Sequence, residues 1–214
     1  MTDPGLASGT LFVVSAPSGA GKTSLVRALL ARDAQIVLSV SHTTRARRAG
    51  ERDGDHYYFV DTTTFDLMRV GDEFAEYAQV FGNHYGTSRD AVQQRLARGF
   101  DVVLEIDWQG ARQIRRQMSG SVGIFILPPS LEHLRTRLQS RAQDEGKVIE
   151  QRMQAAVREI SHYQEYDYLI VNDDFETACE ELSAIVNSQR LRQTAQAWRL
   201  RGLLDALTAG PRSD

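Results

Sequence analysis

Apolar residues gather in short continuous runs, and stretches with helical spacing lie between them. Leu11 to Ser15, Ile36 to Val40, Val102 to Ile106, Val122 to Leu127 and Leu169 to Val171 are apolar or β-branched and read as strands. Helical patterning covers Lys22 to Arg32 and begins again near Ser88, Trp108, Ser130, Val148 and Phe175. Strands alternating with helices predict an α/β fold built on a parallel sheet flanked by helices. The tail from Ala184 to Leu207 is helical in character and rich in arginine. Two stretches interrupt the alternation. Ser41 to Tyr85 carries short aromatic-rich strands (Tyr57, Tyr58, Phe59; Phe74, Tyr77, Phe81) and several glycines, and reads as a small inserted β-rich subdomain. Arg141 to Lys147 is charged, lacks apolar anchors and reads as a mobile loop ahead of a helix.

The length of 214 residues suits one compact domain with insertions. No apolar run approaches the roughly 20 residues needed to span a bilayer. Met1 to Gly9 is polar and lacks the basic and apolar parts of a secretion signal. A net charge of -3 argues against a nucleic-acid or membrane partner. The single cysteine, Cys179, excludes an internal disulfide, so a reducing, cytoplasmic setting is expected. Of the 25 cations only Lys22 and Lys147 are lysines, so a lysine at a motif position stands out.

Lys22 occupies such a position. Ala16-Pro-Ser-Gly-Ala-Gly-Lys-Thr23 lies between a predicted strand and a predicted helix, the context in which a phosphate-binding loop is meaningful. Backbone N–H groups of Ala16, Pro17, Ser18, Gly19, Ala20, Gly21, Lys22, Thr23 and Ser24 (proline excepted) would converge on the phosphates of ATP, and the helix N-terminus adds its dipole. Lys22 would reach the β- and γ-phosphates, and Thr23 would place its hydroxyl on Mg²⁺, largely through water.

The segment after the second strand, Ser41-His-Thr-Thr-Arg-Ala-Arg-Arg-Ala-Gly-Glu51, concentrates arginines and hydroxyls where open α/β sheets bind ligands. A nucleoside monophosphate fits there, because its phosphate carries roughly -1.5 to -2 charge. That oxygen is already nucleophilic, so alignment and positive charge, not a strong base, must supply the catalysis. Charge runs are as a rule solvated faces, and further along Glu76, Tyr85 and Thr87 add specificity in or beside a β-ribbon. A carboxylate pairs with the adjacent N1–H and N2–H₂ donors of guanine, and a hydroxyl serves O6; adenine lacks the donor pair. Glu105 and Asp107, two apart on the expected strand, either hold Mg²⁺ through water or meet the guanine edge. Arg137, Arg141 and Arg152 flank the charged loop, placed to close over a triphosphate and exclude water.

These segments resemble the bacterial guanylate kinases over about Gly9 to Arg192. The pieces are Ser-Ala-Pro-Ser-Gly-Ala-Gly-Lys-Thr, Ser-His-Thr-Thr-Arg-x-x-Arg-x-Gly-Glu, Phe-Gly-Asn-x-Tyr-Gly-Thr-Ser, Ile-Asp-Trp-Gln-Gly-Ala, Phe-Ile-Leu-Pro-Pro-Ser and Ile-Val-Asn-Asp-Asp, long and in order. The resemblance implies the P-loop nucleoside monophosphate kinase fold: a core over 9–40, 88–140 and 155–207, a GMP-binding subdomain over 41–87 and a lid over 141–154. It implies that Ser41, Arg45, Arg48, Tyr57 and Tyr85 hold the GMP phosphate and that Glu76, Thr87 and Asp107 read guanine, with Glu105 beside them. Lys22, Arg45, Arg137, Arg141 and Arg152 would form the catalytic cation set, and Asn172 would lie toward the adenine end of the ATP site. The implied reaction is ATP + GMP giving ADP + GDP with Mg²⁺, in purine nucleotide metabolism and GMP recycling, with dGMP as a further acceptor.

Three positions depart from the family pattern. Ala16 replaces the first loop glycine, Glu105 stands in place of aspartate, and Ala142 follows Arg141 in place of glycine. Rival readings are a non-catalytic guanylate-kinase-like binding module, a GTPase switch and a kinase for another monophosphate. Lys22, Thr23, Arg141 and Arg152 argue against the first; the lack of lysine in Asn172-Asp-Asp174 argues against the second. The Arg-rich stretch Arg190 to Arg201 leaves a homo-oligomer open.

Overall fold

The computed structural model describes residues 9–80, 82–141 and 146–209, with the backbone only of Arg141, Gly146 and Lys147. Phe81 and Ala142 therefore lie outside the described residues, as does the side chain of Arg141.

The main sheet runs β2-β7-β1-β8-β9, with every pair parallel. Its strands are β1 (Leu11–Ser15), β2 (Ile36–Leu38), β7 (Asp101–Glu105), β8 (Val122–Leu127) and β9 (Tyr168–Val171). Central β1 shows why its sequence lacks polar alternation. Phe12 and Val14 face one core together with Leu25, Val26 and Leu29 of α1 (Lys22–Arg32) and Leu182 of α7 (Phe175–Arg190). Leu11 and Val13 face the other, with Val92 of α3 (Arg89–Ala97) and Ala111 and Ile114 of α4 (Trp108–Gln117). Burial on both faces makes a continuous apolar strand the stable choice.

The inserted segment forms a second sheet of order β4-β3-β6-β5, comprising β3 (His42–Thr43), β4 (Tyr58–Phe59), β5 (Phe74–Val80) and β6 (Asn83–Ser88). Here β5 and β6 are antiparallel, as are β3 and β6. The sheet joins the core, since Ala75 packs into the cluster that holds Ala111 and Ile114.

Four local expectations change. The insert contains a helix, α2 (Thr62–Val70), capped by Asp61, whose carboxylate accepts from Thr64 N–H at 2.7 Å. Its β-branched Thr62-Thr63-Thr64 opening masked it; Phe65 is its buried anchor. Strand β2 stops at Leu38, not Val40. Helix α5 (Leu131–Arg141) ends and α6 (Gly146–Ile160) begins within the stretch expected as a loop over Arg141 to Lys147, of which 142–145 lie outside the described residues. The tail is broken into the end of α7, α8 (Gln193–Arg199) and α9 (Arg201–Thr208). Among the described residues no helix is long and apolar enough to cross a membrane.

Candidate active site

The loop after β1 turns at Gly19 (φ 94°) and Gly21 (φ 95°), backbone conformations that side chains disfavour. Gly21 is the N-cap of α1 and no side-chain hydrogen bond caps the helix, so its first turn offers N–H groups to an anion in the loop. Asn172, just past β9, donates from Nδ2 to Ala20 O at 2.7 Å, and its own carbonyl accepts from Arg137 Nη2 at 3.0 Å. Asn172 thus braces the loop from beneath. Asn172→Ala would leave a buried carbonyl without its donor. Unfolding in denaturant should show a loss of about 1–3 kcal/mol, together with weaker ATP binding; an unchanged midpoint would show that the brace carries no load.

The helix pair α5–α6 also rests on this loop. Leu134 and Leu138, packed against Ile149, Met153 and Ala156, approach Gly19 so closely that an added Cβ would lie 3.1 and 3.0 Å from their methyl groups. From α6, Arg152 Nη2 donates to Ser18 Oγ at 3.0 Å and Glu159 Oε2 accepts from Ser18 N–H at 3.2 Å. Burial raises the pKa of Glu159, and the bond from Ser18 opposes that shift. Glu159 carries no signal in the sequence, since one carboxylate in a polar helix makes no motif.

Glu105 ends β7 beside the loop. Thr23 donates its hydroxyl to Glu105 Oε1, and Lys22 Nζ lies 3.9 Å from the same oxygen and 3.4 Å from Ile106 O. Asp107 does not continue the strand as expected. It is the N-cap of α4, its Oδ1 accepting from Gln109 N and Gly110 N at 3.0 Å each. The side-facing rule for alternate strand residues fails because the chain has already turned into the helix. Glu105 consequently meets the phosphate loop, while Asp107 turns toward Glu76.

Glu76 on β5 is 2% exposed and accepts from Thr87 Oγ1 on β6 at 2.5 Å; Ser41 Oγ lies 3.2 Å from the same hydroxyl. Removal from water pushes Glu76 up to about 7; the negative charge of Asp107 adds to the rise, while Thr87 and Lys22 oppose it. Nearby, Arg45 pairs with Glu51 at 2.7 Å and lies over the rings of Tyr57 (5.4 Å) and Phe59 (5.8 Å). Glu51 also accepts from Arg48 N–H at 2.8 Å, and Tyr57 meets Tyr85 edge-on at 5.8 Å. Glu51 is a second residue whose role the sequence left unread: it aims Arg45 and closes the turn.

The structure therefore brings together two groups. One is Ser18 to Thr23 with Glu105, Arg137, Arg152 and Asn172; the other is Ser41, Arg45, Tyr57, Glu76, Tyr85 and Thr87 with Asp107. Lys22 and Glu105 lie at their border: the field of Lys22 reaches Glu76, and that of Glu105 reaches Tyr57. Hard oxygen donors meet at Thr23 and Glu105, and among the described residues no cluster of three or more His, Cys, Asp or Glu forms a dedicated metal cage. That sparse donor set suits Mg²⁺, which keeps water and substrate phosphate among its ligands.

Comparison with known proteins agrees with this arrangement. The guanylate kinase family model matches residues 8–189. The guanylate kinase of Alkalilimnicola ehrlichii is 60% identical over 188 residues, covering 88% of this chain and 93% of that protein. The Escherichia coli guanylate kinase is 55% identical over 208 residues, covering 95% and 100%. The crystal structure of guanylate kinase from Anaplasma phagocytophilum is similar with a TM-score of 0.73 and 37% identity, covering 88% of this chain and 90% of that one.

Proposed function

The chain belongs to the guanylate kinase family and so phosphorylates GMP to GDP at the expense of ATP; from that premise we propose how its residues divide the work. The observation that carries the proposal is the juxtaposition of an uncapped phosphate loop with a dry carboxylate, Glu76, across the border formed by Lys22 and Glu105.

The loop from Ala16 to Ser24 holds the triphosphate through its amides, and Lys22 follows the β- and γ-phosphates. Ser41, Arg45, Arg48, Tyr57 and Tyr85 hold the phosphate of GMP. Glu76 accepts from N1–H and N2–H₂ of guanine, Thr87 turns its hydroxyl hydrogen from Glu76 Oε1 to O6, and Asp107 completes the donor–acceptor match through Oδ2, which also accepts from Gln109 Nε2 at 3.0 Å. The phosphate oxygen of GMP then attacks Pγ in line. One P–O bond forms, the bond to the β-phosphate oxygen breaks, and ADP leaves with that electron pair. No proton need be removed, because the acceptor is already anionic. Arg137, Arg141 and Arg152 neutralise charge on the transferring group. Asn172 acts on ATP through the loop it braces. Thr23 and Glu105 would hold Mg²⁺, which when bound neutralises phosphate charge. Assigning Glu105 to this side replaces its expected place among the guanine readers.

The functional units proposed are the core over 9–40, 88–140 and 155–207, the acceptor subdomain over 41–87 and the lid over 141–154. Buried Cys179 suits work in a reducing cytoplasm. The exposed leucines 203, 204 and 207 of α9 leave a homo-oligomer open. dGMP is an expected second acceptor, since none of the contacts proposed here uses the ribose 2′-OH.

A coupled assay with GMP, dGMP, AMP, UMP and dTMP tests the pocket. GMP should exceed AMP in kcat/KM by on the order of 10⁴ or more, because adenine leaves a buried carboxylate unpaired. A comparable rate with AMP would remove Glu76 from base recognition.

A further inference from the structure

We propose that α4 is a specificity-determining element, in which Gly110 and Gln113 set the depth of the Glu76 carboxylate and thereby the enzyme's grip on the 2-amino group of its acceptor. The inference rests on the reading that Glu76 pairs with guanine.

Gly110 lies in the first turn of α4, against the side chain of Glu76. A Cβ built at Gly110 would overlap Oε2 of Glu76, lie 3.0 Å from its Cδ and lie 3.3 Å from Ile106 Cδ1. The conflict has no easy outlet. Glu76 is buried, and its other oxygen is fixed by Thr87. Any added methyl must therefore move the carboxylate itself. Nothing about the local backbone calls for glycine: the residue is helical, without positive φ, and alanine is the better helix former. What glycine supplies at this position is room.

Gln113 acts one turn further along the same helix. Its Nε2 donates to Tyr77 O at 2.7 Å, and its Oε1 accepts from Tyr77 N–H at 3.2 Å. One amide side chain thus holds both backbone groups of the residue following Glu76, as a neighbouring strand would. Asp107, the second carboxylate facing the pocket, caps the same helix. Three contacts from one rigid element place two carboxylates of the acceptor site relative to each other, and rigid support of this kind is what precise recognition needs.

GMP and IMP separate this role from a merely structural one. IMP keeps N1–H and O6 but lacks the 2-amino group, so the ratio of their affinities reads the position of the carboxylate. Calorimetric titration of the intact protein should show Gly110→Ala binding GMP on the order of 10²-fold more weakly, the loss expected when a displaced carboxylate no longer meets one of its donors. The preference for GMP over IMP should fall toward one, with ATP affinity unchanged. Gln113→Leu removes the grip on Tyr77 without adding volume beside Glu76 and should shift the ratio the same way. This second variant carries the test should Gly110→Ala not fold. Equal losses for GMP and IMP, or an unaltered ratio in both variants, would overturn the proposal. Glu76→Gln is the control. If it collapses the GMP preference while the α4 variants keep it, the inference alone fails. If Glu76→Gln leaves the preference intact, the reading of Glu76 falls and the inference with it.

Discussion

Lys22→Ala should lower kcat by a factor on the order of 10²–10³ while KM for GMP changes little. Lys22 is poised without being consumed. Its ammonium contacts one backbone carbonyl at 3.4 Å and one carboxylate at 3.9 Å, both long, so it can shift toward a phosphate without breaking a tight ion pair. Phosphoryl transfer needs little covalent help from the protein and depends on charge placed where it develops. A lysine following the β- and γ-phosphates stabilises the leaving oxygen more in the transition state than in the ground state, so its loss falls on kcat. The sequence background strengthens the expectation, since a chain that uses arginine at 23 of its 25 cationic positions keeps lysine here. Arginine is larger, planar and forked, and would not follow a moving oxygen as a compact ammonium does. Lys22→Arg should therefore rescue only part of the rate. A kcat within twofold of wild type in Lys22→Ala would place the cation elsewhere, with Arg152 and Arg137 the first candidates.

The phosphate loop and the main strands were legible because each is written locally. An apolar run without alternation is a buried parallel strand, and glycines before a lysine at a strand end are a phosphate turn. The pairing of Glu76 with Thr87 was legible from chemistry, since a carboxylate beside a hydroxyl matches the hydrogen-bonding edge of guanine and the two meet at 2.5 Å. What escaped was whatever depends on a partner far along the chain. Glu159 meets Ser18 across 141 positions, and Asn172 meets Ala20 across 152; no spacing in the sequence advertises either. Family likeness points Asn172 toward the adenine end of the ATP site, and nothing in the sequence shows that its amide also donates to the loop. Helix α2 escaped for the opposite reason: its signals are local but contradict one another, three β-branched threonines following a good capping aspartate. The misplacement of Asp107 is instructive as well. A strand's last residue and a helix's cap are neighbours in sequence but obey different geometric rules, and one residue decides which applies.

The affinity for GMP should increase as pH rises through about 7 and then level off. Glu76 in the empty site is held near that value chiefly by burial, and only its ionised form accepts from both donors of guanine. Below pH 7 the carboxyl carries a proton that binding must expel, so the dissociation constant should rise about tenfold per unit of acidification. The phosphate of GMP titrates near 6 and contributes a slope of its own. Glu76→Gln separates the two effects: in the variant only the phosphate's slope remains. At pH 8 the substitution should weaken GMP by on the order of 10²–10⁴, because two bonds to a charged acceptor, each about 1.5–3 kcal/mol, are lost. ATP binding should keep its wild-type pH profile in both proteins. Stability gives an independent reading with a fixed sign. A carboxyl whose pKa is higher folded (about 7) than unfolded (4.5) stabilises the empty protein fully below 4.5, and that contribution is lost as pH rises through 7. GMP, by supplying donors to the ionised group, should restore stability most at alkaline pH. The thermal shift produced by saturating GMP should accordingly be larger at pH 8 than at pH 5.5. A shift of equal size at the two values, together with parallel pH profiles for wild type and Glu76→Gln, would show that the buried carboxylate is not the group that meets guanine.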